Sequence, residues 1–237
     1  MLVGILFTVI VSLAIGTFSL LVCRARLKAN NRYSTPAVSD YATFWFFMAI
    51  VWYLLACIDF FGYFGRIDIA SLLIYIMQVA VGLSLVAVAR AVWRMLGVPS
   101  RFGELIVVLA YLIFLVLFIW SLFYFGVRPQ PKSFFASQII TASITLTLFT
   151  ISFLPLFFTA LYILFRQYFR GDITAPQGRF LFLGSLGLIL LGVSGFLDEM
   201  GIVTDWMVTA SRLVTLVGSI VAYGAVSALQ EPDELVI

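Results

Sequence analysis

The sequence predicts an all-α membrane protein: a seven-transmembrane-helix bundle with the N-terminus outside and the C-terminus cytoplasmic. Hydrophobic residues make up 63% of the 237 residues, charged residues make up 11%, and the mean hydropathy is +1.15. Soluble domains carry about 25% charged residues. The apolar runs are long and do not alternate with polar residues, so they favour membrane-spanning helices over the short alternating strands of a barrel.

Seven apolar runs are each long enough to cross about 30 Å of hydrocarbon. They predict spans at about 2–23, 41–64, 69–91, 104–127, 134–165, 179–198 and 205–228, all within a single domain that covers residues 1–237. Turn-forming residues such as Gly65, Gly97 and Pro129 separate the runs. The fifth run is longer than one crossing needs, and we expect it to tilt, to project from the membrane or to bend at Pro155.

Basic residues set the predicted orientation. No basic residue precedes the first run, as one would in a cleaved secretion signal, so we interpret this run as a retained helix. The loops predicted to be cytoplasmic hold ten basic residues: Arg24, Arg26, Lys28, Arg32, Arg90, Arg94, Arg101, Arg166, Arg170 and Arg179. The outer loops hold three: Arg66, Arg128 and Lys132. This excess predicts an outer amino terminus, and we expect the plasma (inner) membrane of a prokaryote.

Ionisable residues in lipid are costly and are candidates for function. Here they are Asp59, Asp198, Glu199, Asp205 and Arg212, all placed toward the predicted outer face. One interpretation is structural: Arg212 pairs with Asp198, Glu199 or Asp205 and holds the last two helices together. A second is that Asp59 and Arg212 line an outward-facing pocket for a polar or amphipathic ligand. A third gives Asp59 a role in proton or ion coupling.

Uncharged polar residues form a second set of candidates. Gln78 lies in the third span, and we expect its amide to find a partner on another helix. Gln138 and Thr141 belong to a polar run at the start of the fifth span, where hydroxyl groups can bond to their own helix. These three side chains could face one interior cavity.

Small residues are concentrated in the last two spans. They predict close helix packing within the chain, with a dimer interface as the alternative. Gly218 and Ala222 form a small-xxx-small pair in the seventh span. The sixth span contributes Gly184, Gly187, Gly192 and Gly195.

The sequence lacks the side chains that retinal and bis-histidine haem binding require. A retinal Schiff base needs a lysine in the last helix, but the lysines are Lys28 and Lys132, both in loops. Histidine is absent, so bis-histidine haem cannot form within the chain. We therefore expect no enzymatic activity, no metal site and no identifiable cofactor. The aromatic residues, 16% of the chain, could contact a bound lipid, a quinone or a carotenoid.

Basic residues at the ends of apolar runs are explained by orientation and lipid headgroups, so no nucleic-acid partner is predicted.

The basic cluster Arg24-Ala25-Arg26 ends the first span, Trp52 lies in the second, and a glycine-rich sixth span begins at Arg179. This layout resembles the seven-transmembrane-helix sensory region of bacterial histidine kinases and related signalling proteins. The resemblance covers most of the chain and implies a cytoplasmic output domain. Only about nine residues follow the seventh span, so we expect a separate partner to supply the output.

Two functional hypotheses follow. The first is a non-enzymatic accessory or interaction subunit of a larger membrane complex, or a sensor-like module that acts through a partner. The alternative is a small transporter or channel with a polar site at Asp59, Gln78 and Arg212. The first is favoured because the charged candidates lie at the outer edge, whereas transporters place their sites near the bilayer midplane.

The predicted orientation is testable with reporters fused after the last residue. A fluorescent protein that folds only in the cytoplasm should fluoresce there, and alkaline phosphatase should be inactive. Replacing the four basic residues that follow the first span with glutamine should produce a mixed orientation, because it removes four of the ten inner positive charges. Replacing the three outer basic residues is the control and should change nothing. An active phosphatase on the unaltered chain would contradict the orientation.

Overall fold

The structure is a computed structural model that describes residues 2–29, 35–97, 100–131, 137–141, 143–170, 173, 175–200 and 205–230. Its α-helices are α1 (Leu2–Lys28), α2 (Pro36–Tyr63), α3 (Ile67–Met95), α4 (Arg101–Phe125), α5 (Ser143–Arg170), α6 (Pro176–Met200) and α7 (Asp205–Ser227). A 3-10 turn, Ala228–Gln230, follows α7. All seven helices are long and apolar enough to span a membrane, which confirms the predicted number of spans.

Local sequence fixes several helix ends. Thr35 caps α2 by accepting a hydrogen bond from the Val38 N–H at 3.5 Å, and Pro36 suits the first helical position. Helix α2 therefore begins about five residues before the predicted span. Ser100 caps α4 in the same way, with the Gly103 N–H at 3.0 Å.

The predicted fifth span, 134–165, is wrong at its start. Residues Val127–Pro131 form strand β1 and Ser137–Thr141 form strand β2, which pair as an antiparallel hairpin before α5 begins at Ser143. Gln138 lies opposite Gln130, and Thr141 lies opposite Val127. Pairing between the strands forms the backbone hydrogen bonds that these residues would otherwise form within a helix. β-branched residues favour the extended conformation of a strand. The excess length of the run is therefore a hairpin and not a long helix.

Each helix packs against one or two main neighbours. Helix α2 contacts α1 and α3, α7 contacts α1 and α6, α5 lies against α6, and α4 lies against α3. Helices α4 and α5 are the least covered: 22% of each of these spans is buried, against 39–50% in the other five. The bundle therefore has a well-packed side formed by α1, α2, α3, α6 and α7, and a peripheral side formed by α4 and α5.

Large aromatic residues near the start of α2 fill the core. Tyr41, Phe44 and Trp45 are all at most 2% exposed. The Tyr41 hydroxyl donates to the Gly184 carbonyl at 3.2 Å, and its ring meets Phe180 edge to face at 5.5 Å. These contacts hold α2 against α6, and the position of Gly184 leaves room for the Tyr41 ring.

Most of the predicted small residues sit at close helix contacts within the chain. A Cβ atom at Gly187 would lie 3.2 Å from the Gly218 carbonyl oxygen, and one at Gly218 would lie 3.3 Å from the Gly187 carbonyl oxygen. Ala222 is completely buried at the same α6–α7 contact. Gly192 leaves space for aromatic rings of α5, whereas a Cβ at Gly195 would meet no atom within 4 Å. Gly195 is therefore not a packing glycine.

Replacing Gly218 with leucine should destabilise the protein by about 1–3 kcal/mol, because the added side chain must push the α6 backbone away. Thermal unfolding in detergent measures the effect. Gly224→Leu is the matched control on the same helix, since a Cβ there would meet no atom within 4 Å. Equal loss of stability in both variants would contradict the close contact.

Candidate functional site

Arg212 carries a buried positive charge that is shared among three helices. Its Nη2 atom lies 3.3 Å from Oδ2 of Asp59 on α2, and its Nη1 donates to the Ser12 hydroxyl on α1 at 2.6 Å. Arg212 is 4% exposed and Asp59 is 3% exposed. The pair therefore joins α7 to α1 and α2 deep within the bundle.

Trp52 forms part of the surroundings of this pair. The guanidinium carbon of Arg212 lies 5.7 Å from the centre of the indole, a cation–π distance. In the part of the chain that the structure describes, Nε of Arg212 has no hydrogen-bond partner. Among the described residues, one carboxylate, one hydroxyl and an aromatic face surround the charge. Removing a single partner from such a buried pair leaves an uncompensated charge.

The structure gives Arg212 a different partner from those that the structural interpretation predicted. Asp198 and Glu199 lie near the end of α6 and Asp205 begins α7, but the placement of their side chains lies outside the described residues. Arg212 is bonded to Asp59, so the ion pair joins α7 to α2. Sequence periodicity could not reveal this pairing, because the two partners are 153 residues apart in the chain.

Of the three uncharged polar candidates, only Gln78 has a side chain among the described residues. Gln78 is half-buried in α3, and no hydrogen bond links its side chain to another described residue, so its expected partner on another helix stays a prediction. Gln138 and Thr141 lie in strand β2 and not in a transmembrane helix, and their side chains lie outside the described residues. The transport hypothesis would favour a hydrogen bond between Gln78 and Asp59 or Arg212. Among the described residues, no such bond is present.

A cavity of about 160 Å³ lies beside the ion pair, between α2, α3, α5, α6 and α7. Trp52 belongs both to its wall and to the surroundings of Arg212. Other apolar wall residues are Phe44, Met48, Val81, Leu85, Phe149, Phe153 and Leu191, with Gly192 and Gly195 from α6. The hydroxyl-bearing wall residues are Ser84, Thr150, Ser194, Ser211 and Thr215. The cavity is therefore mainly apolar and aromatic, with a small number of hydroxyl groups.

Comparison with known proteins does not assign the chain to a family. No family model matches it, and neither a curated protein nor a solved structure matches it. Function must therefore be inferred from the residues. Within the described ranges, no group of three or more acidic or cysteine side chains is placed to hold a metal ion, and the sequence has no histidine.

A second charged cluster lies at the opposite end of α2. Asp40, Arg90, Arg94 and Glu104 meet there, and both carboxylates contact Arg94 at 2.6 Å and Arg90 at 3.7 Å. The cluster ties α2, α3 and α4 together. Sequence reasoning missed it because the second and fourth spans were predicted to begin after Asp40 and near Glu104. The signal was present, since both acidic residues lie within about one turn of a capped helix start.

Replacing Asp59 with asparagine should destabilise the protein by about 3 kcal/mol, because Arg212 would keep its charge without a counterion. Replacing both partners, with Asp59→Leu and Arg212→Met, should cost less than the single change. Unfolding in mixed detergent micelles measures both variants.

The exposed pair Arg66 and Asp68, at 3.3 Å, supplies the control. Asp68→Asn should leave unfolding almost unchanged, because solvent already surrounds both side chains. If Asp59→Asn unfolds like the unaltered chain, Arg212 does not depend on this carboxylate.

Proposed function

We propose that this chain is a non-enzymatic membrane module that acts by binding another membrane protein, as an accessory subunit or as the membrane part of a sensor. The observation that supports this proposal is the uneven coverage of the bundle. Only 22% of the α4 and α5 spans is buried, against 39–50% of the other five spans. The uncovered α4–α5 side is the place where a second membrane protein would bind.

The exposed surface of α5 is strongly aromatic. Phe158, Tyr162, Phe165 and Phe169 are 53–80% exposed, and their spacing of four, three and four residues puts them on one helix face. We call these four residues the aromatic stripe. Five of the six exposed large hydrophobic residues described on α5 are aromatic, against one of six on α1.

Aliphatic side chains such as those on α1 are sufficient for contact with lipid chains. Aromatic side chains supply large contact areas with few rotatable bonds, and they are enriched at protein interfaces. The difference between α5 and α1 therefore favours a protein partner for α5 and lipid for α1.

Several polar groups of the core have structural partners, which supports a role without catalysis. Asp59 and Arg212 neutralise each other, and the hydroxyls of Ser84 and Ser194 donate to carbonyls of their own helices at 2.7 Å. A module of this kind has to hold its shape in lipid and present a surface. The sensor form of the proposal rests on the layout shared with seven-helix sensory regions, and its location would be the plasma membrane of a prokaryote, with the amino end outside.

The partner proposal is tested by extracting the protein with its surrounding membrane in polymer nanodiscs and measuring its mass. We expect a particle that contains a second protein in addition to the 26.4 kDa chain. Changing Phe158, Phe165 and Phe169 together to leucine should release the partner, because leucine suits lipid equally well but removes the aromatic contact area.

The matched control changes three exposed phenylalanines on or next to α2, namely Phe46, Phe60 and Phe64, to leucine. This variant should keep the partner. A single chain in every nanodisc, a dimer of this chain, or equal loss of the partner in both variants would contradict the proposal.

A further inference from the structure

The central cavity has the volume of one small ring. Its volume is about 160 Å³. A dry cavity of roughly 150 Å³ lined by aliphatic and aromatic residues is known to take up benzene. A single six-membered ring with small substituents therefore fits the space.

Aromatic side chains on two facing helices form much of the wall. Phe44 and Trp52 contribute from α2, and Phe149 and Phe153 contribute from α5. The rings of Phe149 and Phe153 are nearly parallel, with an angle of 8° and centres 6.0 Å apart. A planar ring placed among these side chains can make edge-to-face and offset contacts, which are more favourable than contacts with an aliphatic chain.

The hydroxyl groups of the wall divide into two kinds. Ser84, Ser194 and Thr215 donate their hydroxyl hydrogens to carbonyl oxygens of their own helices at 2.7–3.0 Å. Thr150 and Ser211 also line the cavity, but their hydroxyls make no hydrogen bond to any residue that the structure describes. Ser211 is 3% exposed, so its hydroxyl lies away from bulk water. These two groups are therefore available as donors inside an apolar space.

From these observations we infer that the cavity binds a small, membrane-dissolved ring that carries a carbonyl oxygen, of the aromatic ketone or quinone class. The aromatic side chains contact the ring, and the hydroxyls of Thr150 and Ser211 donate to the carbonyl oxygen. A buried donor without an acceptor is unfavourable, so a guest with an acceptor is preferred over a plain hydrocarbon. Binding involves no covalent or redox step. The inference rests on the cavity alone and does not depend on the partner of α5.

A pair of matched probes tests the inference in lipid nanodiscs. The probes are 4-fluoroacetophenone and 4-fluoroethylbenzene, which differ in the carbonyl group, and fluorine NMR follows their binding against empty nanodiscs. We expect the ketone to bind saturably, with about one molecule per chain. The combined variant Thr150→Val, Ser211→Ala should weaken ketone binding about 25-fold, which is about five-fold for each of two neutral hydrogen bonds, and should leave hydrocarbon binding unchanged.

A second part of the experiment fills the cavity with a larger side chain. Gly195 lines the cavity, and a Cβ there would meet no atom within 4 Å, so Gly195→Leu should fold and should reduce binding of both probes at least ten-fold. Gly224→Leu adds the same side chain on α7 outside the cavity wall and should not change binding. Ser219→Ala removes a hydroxyl that already donates to Leu216 and should also have no effect.

Three results would overturn the inference. The first is probe uptake that does not exceed empty nanodiscs, as expected if a lipid acyl chain fills the space. The second is unchanged binding of both probes to the Gly195→Leu variant. The third is an equal loss of ketone and hydrocarbon binding in the hydroxyl variant, which would leave the carbonyl without a role. Thermal unfolding of each variant confirms that it is folded before binding is measured.

Discussion

The charge on Arg212 constrains how the helices of this protein meet. A guanidinium in the apolar part of a membrane must find a counterion and hydrogen-bond acceptors within the protein. Asp59 and Ser12 supply them from α2 and α1, so α7 is fixed against both helices by one side chain. The face of Trp52 completes the surroundings and brings the ion pair next to the central cavity. Trp52 is therefore shared between the cavity wall and the contact that holds the three helices together.

A second charged contact plays the same part at the other end of α2. Arg94 bridges Asp40 and Glu104, so α2, α3 and α4 are joined there just as α1, α2 and α7 are joined around Arg212. Helix α2 takes part in both clusters and also carries the most buried aromatic side chains. It is the central helix of the bundle. Helix α5 contrasts with it, because an aromatic stripe faces outward on one side and the cavity lies on another.

The sequence predicted the number of helices and most of their extents well, because length and apolar composition decide what can cross a bilayer. At the start of the fifth span, length and apolar composition gave the wrong secondary structure. Ile139 and Ile140 continue an apolar pattern, but cross-strand pairing with residues 127–131 places them in a hairpin. A short apolar run does not by itself distinguish a strand from a helix. Asp40 was missed for a related reason, since the cap at Thr35 begins α2 earlier than hydropathy alone indicates.

The sequence by itself determined that this is a seven-helix membrane protein, and it identified Asp59 and Arg212 as the costly residues, because composition alone sets which groups lipid tolerates. It also argued against a retinal Schiff base and bis-histidine haem, because the last helix has no lysine and the sequence has no histidine. Only the tertiary structure decided that Arg212 binds Asp59, that Gly187 and Gly218 meet, and that five helices leave a cavity. These features join residues far apart in the chain, and helix packing, which periodicity does not encode, brings them together.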